Sequence, residues 1–333
     1  MVDFREKEYP YYKYFVTFEK VLENFEELKK YNYDYIINSK KDIQEILKNP
    51  PKKYNATYDY IKKNLNEIIY MINIDYNRDK KFLKITDYFS EECRVECNFS
   101  NYISPLEYYK LNKETVLKNL ENVEDYDTVD DYIFKYGPRM ICSNFHLVVC
   151  TSVLNFFKPK RWLDPSAGWG DRLISAINYG ECEYRATDPS ACLQEKYSEM
   201  INALALDNDK YRITQEGFEE ANIEKNYYDL VFTSPPFFDL EKYTNEPSQS
   251  HIKYNTLEDW VINFMYPLLR KSFRALVQNG HLCLYISDNV GSKIKYVDRV
   301  KDYLKIIKGL KYVGKIAWTT GKYPREMIVY KKL

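Results

Sequence analysis

Two hydrophobic rhythms run along the chain, and one gives way to the other near residue 137. In FEKVLENFEELKKY, Phe18, Val21, Leu22, Phe25 and Leu28 recur three and four apart, the spacing of an amphipathic helix. YDYIKKNLNEIIYMI repeats that spacing with Ile61, Leu65, Ile68, Ile69 and Ile72, so a second helix is expected there. Asn49-Pro50-Pro51 breaks the chain between the two. Residues 1–130 therefore read as a mainly helical N-terminal domain, a candidate for substrate recognition.

Beyond about residue 137, short β-rich runs alternate with helical patterns. RWLD (161–164), EYRAT (183–187), YRIT (211–214) and YDLVF (228–232) are the strands, with helices from about 171 and 191 between them. A long helical stretch around 257–278, the strand HLCLYIS (281–287) and the amphipathic KYVDRVKDYLKIIKGL follow. Two last strand-like runs, KYVGKIAWTT and REMIVYKK, are joined by GKYP. This alternation predicts an α/β domain over 137–333, a doubly wound, mostly parallel sheet with an antiparallel hairpin at its end.

With 333 residues, 45% of them hydrophobic, the chain can bury a sizeable core in one large domain or two ordinary ones. The formal net charge is zero, and residues 1–100 hold 18 basic and 18 acidic side chains. No polybasic tail marks a nucleic-acid binder, although a local basic groove stays open. The acidic run ENVEDYDTVDD (121–131) reads as a solvated connector. The 34 tyrosines suit cores, interfaces and base stacking alike. Seven cysteines without a C-x-x-C pair, and three histidines, give no zinc pattern, so no metal is expected and the cysteines read as buried reduced thiols. The start MVDFREKEYP has no apolar targeting core and no window approaches the length needed to span a bilayer. An intracellular location (cytoplasm, nucleoid or viral factory) without a membrane partner is expected.

The first strand–loop–helix carries the chemistry. In Leu163-Asp164-Pro165-Ser166-Ala167-Gly168-Trp169-Gly170-Asp171-Arg172-Leu173, Gly168 and Gly170 let the backbone turn tightly and approach a ligand. Leu173 stands where a dinucleotide fingerprint needs its third glycine, and no Gly-Lys-Ser/Thr follows. A carboxylate at the strand end, Asp164, repels a pyrophosphate and suits a cationic ligand. Asp188 ends the second strand, where a carboxylate can take ribose hydroxyls. Ribose plus positive charge fits S-adenosyl-L-methionine.

The order DPSAGWG, TDP and TSPPF, with PRMICSNF upstream, resembles the amino-methyltransferases that modify exocyclic nitrogens of nucleobases. The serine of SPPF is similar to many cytosine-N4 DNA enzymes, and some adenine-N6 enzymes share it. SPPFFDLEKY with Gln249-Ser250 and Trp260 resembles a phage and bacterial subgroup. The resemblance covers residues 137–333 and implies a Rossmann-like class I methyltransferase fold with a seven-stranded sheet. It implies that Asn144 and Phe145 hold the methionine end of the cofactor, with Asp164, Ser166, Ala167, Gly168, Gly170 and Asp188 around it and Glu216 and Phe218 near the adenine. Phe145 and Phe218 read equally as core.

The same resemblance makes Ser234, Pro235, Pro236 and Phe237 the catalytic tip. An exocyclic amine is a poor nucleophile because its lone pair is delocalised into the ring. Ser234 Oγ and the Pro235 carbonyl would accept its N–H groups, Pro236 would stiffen that carbonyl's direction, and Phe237 would stack on a flipped base. Phe238, Asp239, Lys242 and Tyr243 lie beyond the tip, either facing nucleic acid or forming a solvated loop. Recognition then falls to residues 1–130, to the loop 238–256, or to a specificity partner or second copy. Three readings follow: a DNA amino-methyltransferase on cytosine N4 or adenine N6; an RNA enzyme on adenine N6 (cap-adjacent included) or guanine N2; and an inactive binding module of this fold. DNA stands ahead of RNA, with the serine leaning to cytosine.

Overall fold

The computed structural model describes residues 7–32, 48, 55–120, 132–138, 140–288, 294–320 and 324–333. The Asn49-Pro50-Pro51 break, the acidic run 121–131 and most of GKYP lie outside the described residues. In chain order the N-terminal region gives α1 (Phe18–Lys29), α2 (Asn55–Asn64), β1 (Ile68–Asn73), α3 (Tyr76–Arg94), β2 (Asn98–Phe99) and α4 (Pro105–Leu120). Next come α5 (Leu147–Phe157), β3 (Arg161–Asp164), α6 (Asp171–Tyr179), β4 (Glu183–Thr187), α7 (Ala191–Leu204), β5 (Tyr211–Thr214), β6 (Tyr228–Thr233) and β7 (Glu241–Lys242). Short helices α8 (Ser250–Lys253) and α9 (Leu257–Trp260) lead through a π-helical turn into α10 (Tyr266–Ala275). The chain closes with β8 (Leu276–Leu284), α11 (Val297–Ile306), β9 (Leu310–Thr319) and β10 (Arg325–Lys332).

One sheet runs β1-β9-β10-β8-β6-β3-β4-β5, parallel throughout except for β10, which lies antiparallel between β8 and β9. Helices between β3 and β4, β4 and β5, β6 and β8, and β8 and β9 make it a doubly wound, Rossmann-like α/β fold, and the antiparallel element is the expected hairpin. The strands read as continuous apolar runs because both faces are covered: Trp162 of β3 stacks on Phe232 of β6 with ring centroids 5.5 Å apart, and its indole N–H donates to the Phe232 carbonyl at 3.0 Å.

The sheet has eight strands rather than seven, and the extra one comes from the N-terminal region. YDYIKKNLNEIIYMI is therefore not one helix: α2 ends at Asn64, and Ile68–Asn73 is β1, parallel to β9. The run I-I-Y-M-I satisfies both periods, and pairing with β9 decided for the strand by burying Tyr70, Met71 and Ile72 completely. Helix α3 starts at Asp75, whose carboxylate caps the Asn77 and Arg78 N–H groups. It buries Asp79, Lys84, Asp87, Glu91 and Arg94 as well as Phe82 and Ile85, so its polar side faces protein rather than water.

The cysteines depart from the reduced-thiol expectation. Cys93 pairs with Cys192 and Cys97 with Cys142, tying the end of α3 to the start of α7 and to the segment before Asn144. The partners lie 99 and 45 residues apart, a proximity that spacing along the chain does not encode. Cys150, Cys182 and Cys283 are free and buried. No helix among the described residues is long and apolar enough to cross a membrane. Thiol titration of the denatured, air-exposed protein is expected to find three thiols, and seven after reduction. Seven at the outset would remove both disulfides.

Candidate active site

Strand order reverses between β3 and β6: β4 and β5 lie outward of β3 on one side, β6 and β8 on the other. A crevice opens beyond the carboxyl ends of two such strands. Asp164 ends β3 and Ser234 directly follows β6, so the glycine loop and the SPPF tip emerge side by side at that point. The loop is built to stay there. Gly168 and Gly170 take φ of +63° and +101°, and a Cβ on Gly170 would stand 2.5 Å from Met200 Sδ. The Gly168 N–H donates to Asp188 Oδ2 at 2.9 Å, the Ala167 N–H to the Thr187 carbonyl at 3.0 Å, and the Tyr197 hydroxyl to the Gly168 carbonyl at 2.5 Å.

A cavity of about 700 Å³ fills the crevice. It brings together Asn144, Phe145, Ser166, Gly168, Asp188 and Phe218 with the tip residues Ser234, Pro236 and Phe237, and with Tyr243. Asp164, Ala167, Gly170 and Glu216 are not on its wall; neither are Pro235, Phe238, Asp239 and Lys242. Phe238 takes φ +54°, a turn that bulky residues rarely adopt, and packs on Trp260 at 5.6 Å. That turn sends consecutive rings opposite ways, Phe237 to the cavity and Phe238 to the core. Lys242 is exposed in β7, which pairs with β2. The N-terminal region thus braces the loop behind the tip, and the Ser100 N–H donates to the Leu240 carbonyl there.

Charge inside the site is arranged differently from the sequence expectation. The Asp164 carboxylate, fully buried, accepts from Arg172 Nε at 2.7 Å, the Tyr184 hydroxyl at 2.8 Å and the Ser166 N–H at 3.2 Å. Arg172 also donates to the Ser166 carbonyl. Asp188 accepts the Gly168 and Ser190 N–H groups, while burial pushes its pKa up to about 6. Asp171 is equally buried and also pushed up to about 6 by desolvation. It accepts the Phe145 N–H at 3.0 Å and Asn144 Nδ2 at 3.3 Å, and that same amide reaches Asp87 Oδ1 at 3.3 Å. Asp87 is paired with Arg94 at 2.7 Å. Burial likewise raises Glu241, which accepts from Tyr243.

Sequence reasoning missed Asp171 and Arg172, although a charged pair opening an apolar helix right after GWG was a usable signal. It also missed Tyr285 and Trp318, which carry no local signal and complete an aromatic wall with the expected Phe145 and Phe237. Phe237 meets Tyr285 at 5.6 Å, Tyr285 meets Trp318 at 5.1 Å, and Phe145 meets both within 5.9 Å. These rings come from four separate segments, and they border a slot suited to a flat ring system. No group of three or more His, Cys, Asp or Glu among the described residues is placed to hold a metal ion.

No family model matches the chain, and no curated protein matches it. Among solved structures it is similar to TrmN from Thermus thermophilus (16% identity, TM-score 0.42), over 57% of this chain and about half (49%) of that one. It is similar to a SAM dependent methyltransferase from Aquifex aeolicus (18%, TM-score 0.38), over 55% of this chain and 89% of that one. A third is the 16S rRNA N2 G1207 methyltransferase RsmC of T. thermophilus in complex with AdoMet and guanosine (16%, TM-score 0.30), over 52% of this chain and 34% of that one. At these scores the function of the chain rests on its own cavity.

Two outcomes are expected. Arg172→Leu strands the buried Asp164 carboxylate and should cost about 3–5 kcal/mol in urea unfolding. Asp171 has a folded pKa above its unfolded one, so its stabilising contribution exists at low pH and is lost as pH rises through about 6. Relative to Asp171→Asn, the wild type should therefore lose on the order of 1–2 kcal/mol between pH 5 and 7.5. A pH-independent difference between the two proteins would contradict the raised pKa.

Proposed function

We propose that the chain is an S-adenosyl-L-methionine-dependent methyltransferase acting on the exocyclic amine of a nucleobase, cytosine N4 or adenine N6 of DNA. The observation that carries this reading is the convergence of the DPSAGWG loop, the Asn144–Phe145 segment and the SPPF tip on one cavity. Its volume and lining suit the cofactor. Apolar side chains (Leu193, Phe218) would flank an adenine, Asp188 keeps lone pairs for ribose hydroxyls, and Ser166, Gly168, Asn144 and Phe145 would hold the amino-acid end. When bound, the cofactor supplies a methyl group activated by a sulfonium.

The chain's own residues grip and orient the amine. Ser234 Oγ and the Pro235 carbonyl, the latter from between the wall residues Ser234 and Pro236, would take its N–H groups, drawing nitrogen toward tetrahedral geometry and freeing its lone pair. Pro236 restricts Pro235, so the acceptor is set before substrate arrives, and acceptors placed for developing positive charge lower the barrier. Phe237 with the Tyr285 ring holds the base face. The base must leave its stack to enter. The N-terminal region, which supplies β1, β2 and the cavity wall of α3, would hold the surrounding polynucleotide.

Incubation with methyl-labelled cofactor and DNA or RNA, followed by digestion to nucleosides and mass spectrometry, tests this. Label is expected on 4-methylcytosine or 6-methyladenine deoxynucleosides; label only in ribonucleosides would move the substrate to RNA. Ser234→Ala should slow transfer roughly 100-fold with cofactor affinity retained. Phe237→Ala should raise KM for the polynucleotide. Unchanged rates in both variants would remove the tip from catalysis.

A further inference from the structure

A zwitterionic amino-acid group brings an ammonium into the cavity, and some carboxylate must meet it. Asp164, the acid expected from its position at the strand end, is committed: both its oxygens are occupied by Arg172, Tyr184 and the Ser166 N–H, and it is absent from the cavity wall. Asp87 is on the wall but already neutralised by Arg94, with Lys84 3.9 Å away. Glu219, also on the wall, is paired with Lys253 at 3.0 Å, and the other three wall carboxylates, Asp171, Asp188 and Glu241, make no ion pair among the described residues. Asp188 belongs to the second strand's end and braces the glycine loop; Glu241 belongs to the loop behind the tip.

Asp171 is different in place and in neighbours. It is 2% exposed and opens α6, and the cation next to it in sequence, Arg172, points away onto Asp164. Its oxygens are held by the Phe145 N–H and the Asn144 amide, the two residues assigned to the amino-acid end of the cofactor. Each oxygen of a carboxylate has room for a second donor. Beside it stands Asp87, which shares the Asn144 amide but is balanced by Arg94, so an ammonium entering here meets Asp171 as the carboxylate without a cation of its own. A buried carboxylate without a cation is costly, and a ligand ammonium would compensate it.

We infer that Asp171, and not Asp164, receives the α-ammonium of the cofactor, with Asn144 holding the Asp87–Asp171 pair in place; this rests on the cofactor reading above. Asp164 then acts as a positioning residue that holds Arg172 and the loop without touching the ligand.

Calorimetric titration with two ligands tests it: S-adenosylhomocysteine, which carries the ammonium, and 5′-deoxy-5′-methylthioadenosine, which keeps adenosine and thioether but lacks the amino-acid group. Asp171→Asn is expected to weaken S-adenosylhomocysteine roughly 10- to 100-fold, the worth of one charge-assisted hydrogen bond, and to leave methylthioadenosine within about threefold. Retained methylthioadenosine binding also reports a formed cavity; should that variant not fold, Asp171→Ser serves the same comparison. Asp164→Asn is expected to affect both ligands alike. Equal loss of both ligands in the Asp171 variants, no loss in either, or a selective loss of S-adenosylhomocysteine in Asp164→Asn would overturn the assignment. A wild type that binds neither ligand would instead overturn the cofactor reading itself.

Discussion

The Arg172–Asp164 pair is the constraint on which the site depends. One guanidinium, buried under the glycine loop, joins the end of β3, the Ser166 carbonyl and the first turn of α6, while Tyr184 of β4 donates to the same Asp164 oxygen and the Ser166 N–H to the other. Coulomb attraction in a dry interior is strong only when the remaining hydrogen bonds are made, and here they are. The pair therefore fixes where the loop leaves the sheet. With the loop fixed, Gly168 meets Asp188, the start of α6 presents Asp171 to the cavity, and β6 delivers the SPPF tip one strand away. The charge first read as a ligand contact is spent on building the loop.

The second organising fact is how far the N-terminal region enters the α/β sheet. It contributes an edge strand beside β9, a strand that braces the loop behind the tip, and α3, whose buried polar side forms one wall of the cavity. Ser90 of α3 donates to the Trp169 carbonyl at 2.8 Å, inside the glycine loop itself. Two disulfides add covalent ties from the end of α3 to both flanks of the cavity. An element that binds polynucleotide through this region would thus be coupled mechanically to the loop and the tip.

Much of the architecture was legible because its signals are local. Strand ends marked by Asp164, Asp188 and Ser234, two glycines in a left-handed turn, and alternating β and helical runs each follow from backbone sterics and burial within a few residues. From these the doubly wound sheet and the convergence of loop and tip at one crevice could be expected. The run Ile68–Ile72 was not legible, because its periodicity serves a helix and a strand equally and the partner strand that decides it, β9, pairs Ala317 with Met71 from far along the chain.

The remaining features are long-range by nature. Whether a carboxylate faces a ligand or an arginine depends on which side chains fold over it, and that is settled by burial and by the competition of donors for the same lone pairs. For that reason Asp164, expected to face a ligand, lies under Arg172, while Asp171, seven residues on, stands on the cavity wall. The aromatic wall of Phe145, Phe237, Tyr285 and Trp318 and the pairing of the cysteines likewise unite segments far apart in the chain. The sequence by itself determined the chemistry available at each strand end and the order of the strands' appearance. Only the tertiary structure decided which groups face the cavity, because proximity across the sheet is a property of packing and not of spacing.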